Sequence, residues 1–244
     1  SVPALVEADD GELYVVKFRG AAQGRRALIA ELLSGEIGRT LGLRVPGLAF
    51  IWIEPSFGTG EAHQEIREML NASAGLNLGL RFLPDSLEYS PLLKPPPAPE
   101  EAAAIVWFDA LVTNVDRTAR NVNILLHQRQ LWLIDHGSSL YFHHSPAWYG
   151  EDALLKRSRS PFPLVKDHAL LRFAGPLGKA DALLKPLLSP DLVASIVDLL
   201  PDSWLLDAVD PAVLRAGYRF WLNERLAASH VFVDEAENAR VRLL

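Results

Sequence analysis

The chain has 244 residues, a formal net charge of −6, 49% hydrophobic and 22% charged residues, and no cysteine. Disulfides, thiolate metal sites and a cysteine nucleophile are therefore excluded, and the acidic balance argues against direct nucleic-acid binding by bulk charge. The length suits one large domain or two coupled lobes, and no apolar run approaches the roughly 18 residues of a transmembrane segment.

In chain order, the first expected element is a hairpin. An apolar stretch from Val2 to Val6 meets the turn Asp9 to Gly11, and a strand from Leu13 to Phe18 follows. Gly20 to Gly24 reads as a loop. Arg25 to Leu41 reads as a helix, with Leu28, Ile29, Leu32, Leu33 and Ile37 at helical spacing and Gly42 as its stop. Leu48 to Ile53 is a short strand, Ala62 to Leu70 a short helix, and Leu78 to Phe82 another strand. Six prolines between Pro84 and Pro99 exclude a helix or a central strand there. That segment is expected to be a linker. Beyond it, Glu100 to Thr113 is helical, and Asn123 to Leu126 and Leu131 to Ile134 form a hairpin. The last hundred residues are mostly helical, with Arg215 to Ala228 the clearest late helix. The expected fold class is α+β in two lobes: a β-rich N-lobe at 1–83 with one prominent helix, a linker at 84–99, and a larger, mostly helical C-lobe at 100–244.

The chemistry concentrates in two short segments. Asp116 and Asn121 lie five residues apart in a loop after a helix, and Asp135 stands before His136 and Gly137 at the end of a hydrophobic hairpin. Either fragment alone is commonly an ordinary turn. Together they match what phosphoryl transfer needs. One carboxylate meets the attacking hydroxyl, while a carboxylate and an amide oxygen hold magnesium on the ATP phosphates. The spacing is that of D-x-x-x-x-N followed by D-x-G, with His136 where protein kinases carry Phe. Upstream, Lys17 ends an apolar strand, where such an enzyme needs a lysine for the phosphates. Glu31 in the next helix is the partner expected to orient it, in preference to Glu36.

These residues, with Leu41 to Pro46, resemble the HipA-like kinase family over about residues 2–140. The Asp116–Asn121 and Ile134–Gly137 patterns are also similar to phosphatidylinositol 3- and 4-kinases. The resemblance implies a two-lobed protein-kinase-like fold and an enzyme using ATP and Mg2+. It assigns Lys17 to the nucleotide phosphates, Glu31 to orienting Lys17, Asp116 to the catalytic base, and Asn121 and Asp135 to the metal. The expected acceptor is a hydroxyl-bearing substrate, a protein Ser or Thr, in the cytoplasm. A phosphoinositide or small-molecule kinase, and an inactive pseudokinase acting as a binding module, stay open as alternatives.

The chain departs from the pattern in having no G-x-G-x-x-G in the 16 residues ahead of Lys17. Gly20 and Gly24 are the candidate substitutes in covering phosphate. The only methionine is Met69, so the sequence is expected to begin after processing or trimming. An antitoxin-type partner is possible within the family but not indicated here. The adjacent His143 and His144 are not expected to share a metal, because neighbouring side chains diverge. Lys156 to Pro161 reads as a basic solvated loop, and Trp107, Trp132 and Trp221 read as core.

Overall fold

The computed structural model describes residues 3–21, 24–206 and 209–243. Its N-terminal part is a four-stranded antiparallel sheet of β1 (Ala4–Glu7), β2 (Leu13–Lys17), β3 (Leu48–Ile53) and β4 (Gly75–Arg81), in the order β1-β2-β4-β3. The turn between β1 and β2 contains Gly11 at φ 77°, a conformation that suits glycine. Between β2 and β3 runs α1 (Gly24–Thr40), which Gly42 follows at φ 78°. A shorter α2 (Gln64–Ala72) precedes β4.

The proline-rich segment is not wholly irregular. Leu87–Glu88 forms β5, which pairs with β6 (Ile124–His127), and β6 pairs in turn with β7 (Gln130–Leu133). The two-residue turn of that hairpin places Gln128 and Arg129 at φ 50° and 62°, the left-handed pair that matches strand twist.

The C-terminal part is built around α3 (Pro99–Val112). Ten of its residues are buried, and its apolar residues run all the way round rather than along one stripe, as suits a central helix. Around it lie α4 (Glu151–Ser158), α5 (Leu177–Leu184), α6 (Pro190–Asp198), α7 (Pro211–Ala227) and α8 (Ser229–Val241). The mixed α+β architecture anticipated from the sequence is the one observed. Among the described residues no helix is long and apolar enough to cross a membrane.

One apolar core runs through most of the molecule. It takes in Leu28, Leu32, Leu33 and Ile37 of α1, the whole buried face of α3, and the late helices as far as Ala239. The sheet keeps a small core of its own, made of Val16, Phe18 and Ile53. Trp107 and Trp221 are buried as expected, but Trp132 is only partly so. Lys156 to Ser158 belong to α4 rather than to a solvated loop. Arg157 donates to the Phe142 carbonyl, and Arg159 pairs with Glu224.

Buried Arg225 on α7 ties these layers together. Its guanidinium donates to the Ala110 and Leu111 carbonyls at the C-terminal end of α3, at 2.8 Å each, and to those of Ser158 and Ser160, at 3.0 Å each. Helix C-terminal carbonyls carry partial negative charge, which offsets a buried cation. Burial still pushes the Arg225 pKa down to about 9.

Candidate active site

Lys17, Glu31 and Asp135 come from β2, α1 and the segment after β7, and they meet. Lys17 Nζ donates to Glu31 Oε2 at 2.5 Å and to Asp135 Oδ1 at 2.6 Å. Glu31 is fully buried, and its other oxygen accepts from His136 Nδ1 at 3.2 Å. Burial alone would lower the Lys17 pKa, but the Glu31 and Asp135 carboxylates outweigh it and raise it. Burial would raise the Glu31 pKa, and the Lys17 and His136 contacts instead hold it well below the usual carboxylate range. His136, where protein kinases carry Phe, thus links the Asp135 loop to α1. Nothing in the spacing around His136 announces that link.

Asp116 and Asn121 face each other across their loop, with Asn121 Nδ2 donating to Asp116 Oδ2 at 2.7 Å. That bond turns the Asn121 amide so that its Oδ1 stays available to a cation. Asn121 is exposed and Asp116 half-buried, so both can be reached from solvent. Thr113, Asn123, Asp135 and Leu140, which bracket the two loops, have φ between 51° and 54°. For residues other than glycine this conformation costs of the order of 1–3 kcal/mol, and it gathers where a site constrains its backbone.

The loop is held by a buried network that the sequence reading missed. Asp109 on α3 accepts from Asn114 Nδ2 at 2.9 Å, from Arg117 Nε at 2.6 Å and from His168 Nε2 at 2.8 Å. Asn114 Oδ1 accepts the Asp116 backbone N–H at 3.1 Å, which fixes the loop directly before its carboxylate. Arg117 reaches on to the carbonyls of Asn123 and Ile134, and so ties the Asp116 loop to the strand end that carries Asp135. The Leu170 amide donates to His168 Nδ1 at 3.1 Å, leaving the Nε2 proton for Asp109. Burial would raise the Asp109 pKa, and the Arg117 charge with the His168 bond lowers it instead. The one available signal was an acidic residue within the apolar run that follows the first turn of the helix.

Beside Lys17 and Asp135 opens a cleft of about 300 Å³. Its walls are Val15 and Leu80 of the sheet, Leu125 and Ile134 of the hairpin strands and their end, and Phe82 and Leu83 of the connecting segment. An apolar slot with a cation and a carboxylate at one end suits a flat base carrying phosphates. The two candidate glycines part company. Gly24, at φ 62°, borders a small crevice shared with Lys17 and Gly137. Gly20 packs against α2, where a Cβ would fall 2.7 Å from both the Ala72 Cβ and the Met69 carbonyl oxygen. Ala22 and Gln23, between them, lie outside the described residues.

One carboxylate and one amide oxygen form a hard donor set, which fits a magnesium ion completing its shell with phosphate oxygens and water. Among the described residues, no three His, Asp or Glu side chains gather into an all-protein cage. His143 is buried and hydrogen-bonded to Tyr218 Oη at 2.9 Å, whereas His144 is exposed.

The structure is similar to the crystal structure of a Helicobacter pylori proinflammatory kinase, CtkA. The TM-score is 0.60 at 17% identity, covering 99% of this chain and 94% of that one. No curated protein matches the sequence. The sequence matches the family described as HipA-like kinase over residues 1–146, and the chain belongs to that family.

Proposed function

We propose that the protein is an ATP- and Mg2+-dependent phosphotransferase acting on a protein Ser or Thr hydroxyl. The observation that carries this reading is the convergence of Lys17 on both Glu31 and Asp135 at the end of the apolar cleft. In this reading the cleft takes the adenine, and Lys17, held by Glu31, neutralises the phosphates. Asn121 Oδ1 and Asp135 would hold magnesium, which when bound neutralises charge on the transferring phosphoryl group. Asp116 accepts the proton of the attacking hydroxyl as its oxygen bonds to phosphorus and the bond to the leaving ADP oxygen breaks. Most of the rate gain would come from positioning and electrostatics. Residues 1–83 and 100–244 act as the lobes and 84–99 as their link, working in the ATP-rich cytoplasm.

The test combines binding with turnover. A non-hydrolysable ATP analogue with magnesium, at 100-fold its dissociation constant, should stabilise the protein by about 2.7 kcal/mol. Asp135→Ala should lose the magnesium-dependent part of that gain. Asp116→Ala should keep it, while abolishing phosphate transfer from ATP to a mixed protein substrate. Undiminished transfer in either variant refutes the assignment. A normal nucleotide shift with no transfer by the wild type to any hydroxyl acceptor favours a binding module instead.

A further inference from the structure

A cavity of about 190 Å³ plays no part in the chemistry above. It lies where the segment after Asp135 meets the end of α4 and the C-terminal half of α7. Its rim is formed by Tyr141, Ser145, Arg157 and Ser160, all exposed or half-buried, so it is reached from solvent. Buried Thr113, Trp221 and Arg225 lie beneath. No acidic side chain lines it among the described residues.

Its chemistry suits an anionic guest. Arg157 donates from Nη1 to the Phe142 carbonyl at 2.8 Å and, among the described residues, pairs with no carboxylate. Arg225 is likewise met by backbone carbonyls alone. Those carbonyls offset its charge without cancelling the effect of burial, which still lowers its pKa. Thr113 Oγ1 and Trp221 Nε1 have no hydrogen-bond partner among the described residues. Buried polar atoms are rarely left so, and an acceptor entering the cavity would supply what these two lack. An ionised carboxylate is acceptor-only and matches a guanidinium fork with both oxygens. Tyr141 and Pro161, exposed at the edge, offer apolar contact to its stem.

The cavity also lies close to the Asp116 loop. Thr113 stands three residues before Asp116, and three residues of chain span at most about 11 Å. An extended peptide advances about 3.3 Å per residue, so a side chain about two to four positions from an acceptor at Asp116 covers that distance. We propose that the cavity takes the carboxylate of an Asp or Glu in the protein substrate, close in sequence to the acceptor Ser or Thr, with Arg157 gripping it at the rim and Arg225 and the Thr113 hydroxyl beneath. The inference rests on the phosphotransferase reading and narrows its substrate class to acidic segments. The chain itself carries a net charge of −6, so bulk attraction would favour the opposite choice and the preference has to be local.

The probes are two seven-residue peptides with a central serine, one flanked by glutamates and its twin by glutamines. Each is titrated calorimetrically without nucleotide and assayed for phosphate transfer from ATP. The glutamate peptide should bind the wild type about tenfold more tightly and show a KM lower by the same factor, with similar kcat for both. Arg157→Gln should remove most of both differences by weakening the glutamate peptide alone, and Arg157→Lys, which keeps the charge without the fork, should fall between. Should Arg157→Gln fail to fold, Ser145→Leu obstructs the rim without touching the arginine and should have the same effect. Lys156→Gln removes a neighbouring charge that does not line the cavity and should change neither ratio. Equal binding of the twins, undiminished preference in Arg157→Gln or Ser145→Leu, or an equal loss in Lys156→Gln each overturns the proposal. Transfer to both twins alike overturns it while leaving the phosphotransferase reading intact. The expected binding pattern with no transfer to either peptide keeps the acidic-peptide site and counts against phosphotransfer instead.

Discussion

Asp109→Asn tests the network beneath the Asp116 loop. The native carboxylate accepts from Asn114, Arg117 and His168, and the side chains of Asp109 and Arg117 are both fully buried. The amide has nearly the same size but no charge, and its NH2 must face a donor. Arg117 is left in the interior without its counter-charge. Removing one partner of a buried pair costs about 3–5 kcal/mol. The oxygen retained by Asn places the loss at the lower end, about 3 kcal/mol. For a chain of this size that corresponds to a fall in Tm of about 6–12 °C. Thermal unfolding followed by circular dichroism reads it directly. Phosphate transfer should fall with it even below the new Tm, because Asn114 and Arg117 fix the backbone around Asp116. Asp109→Leu combined with Arg117→Met should recover part of the stability, since no charge is then stranded. A Tm within about 2 °C of the wild type for Asp109→Asn would show that the network carries no such load.

Glu31 and Asp109 also set the acid limit of stability. Both have folded-state pKa values below their ordinary values of 4.5 and 3.8, so their contribution is complete above those values and drains away as pH falls beneath them. Urea midpoints should be steady from about pH 7 to 5 and drop steeply towards pH 3, with a shallower drop in Glu31→Gln; a flat profile in the wild type would contradict this. Gly20→Ala separates a packing role from a phosphate-covering one. The added methyl meets α2 at 2.7 Å, and such overpacking costs about 1–3 kcal/mol. The Tm should therefore fall by several degrees while the nucleotide-induced shift persists, and the reverse pattern would assign Gly20 to the nucleotide.

What could be read in advance follows the range of the interactions. The period of α1, the hairpin around Gln128 and Arg129, and the spacing of Asp116, Asn121 and Asp135 are local, and all are legible in order along the chain. Lys17 and Glu31 lie 14 residues apart, close enough for strand-then-helix logic to pair them. Asp109 and His168 lie 59 apart, and nothing around His168 announces that it will sit under the loop. The proline-rich segment gave a linker because proline speaks against a central strand, yet Leu87 and Glu88 still add an edge strand to the hairpin. Gly20 illustrates the opposite problem. A glycine kept for close helix packing and one kept for a phosphate look identical until the neighbouring helix is in place.

The division of the apolar core runs between the two partners of the Lys17–Glu31 pair. Glu31 rides on α1, whose buried face belongs to the same core as α3 and the late helices, and it is bonded to His136 beside the Asp135 loop. Lys17 rides on the sheet, whose small core of Val16, Phe18 and Ile53 is separate, with Leu78 of β4 reaching across into the larger one. Glu31 is therefore anchored in the larger core and Lys17 beside the smaller one. The Lys17 bonds to Glu31 and Asp135 therefore bridge the two cores, and Lys17→Ala would remove a polar tie between the sheet and the rest of the molecule.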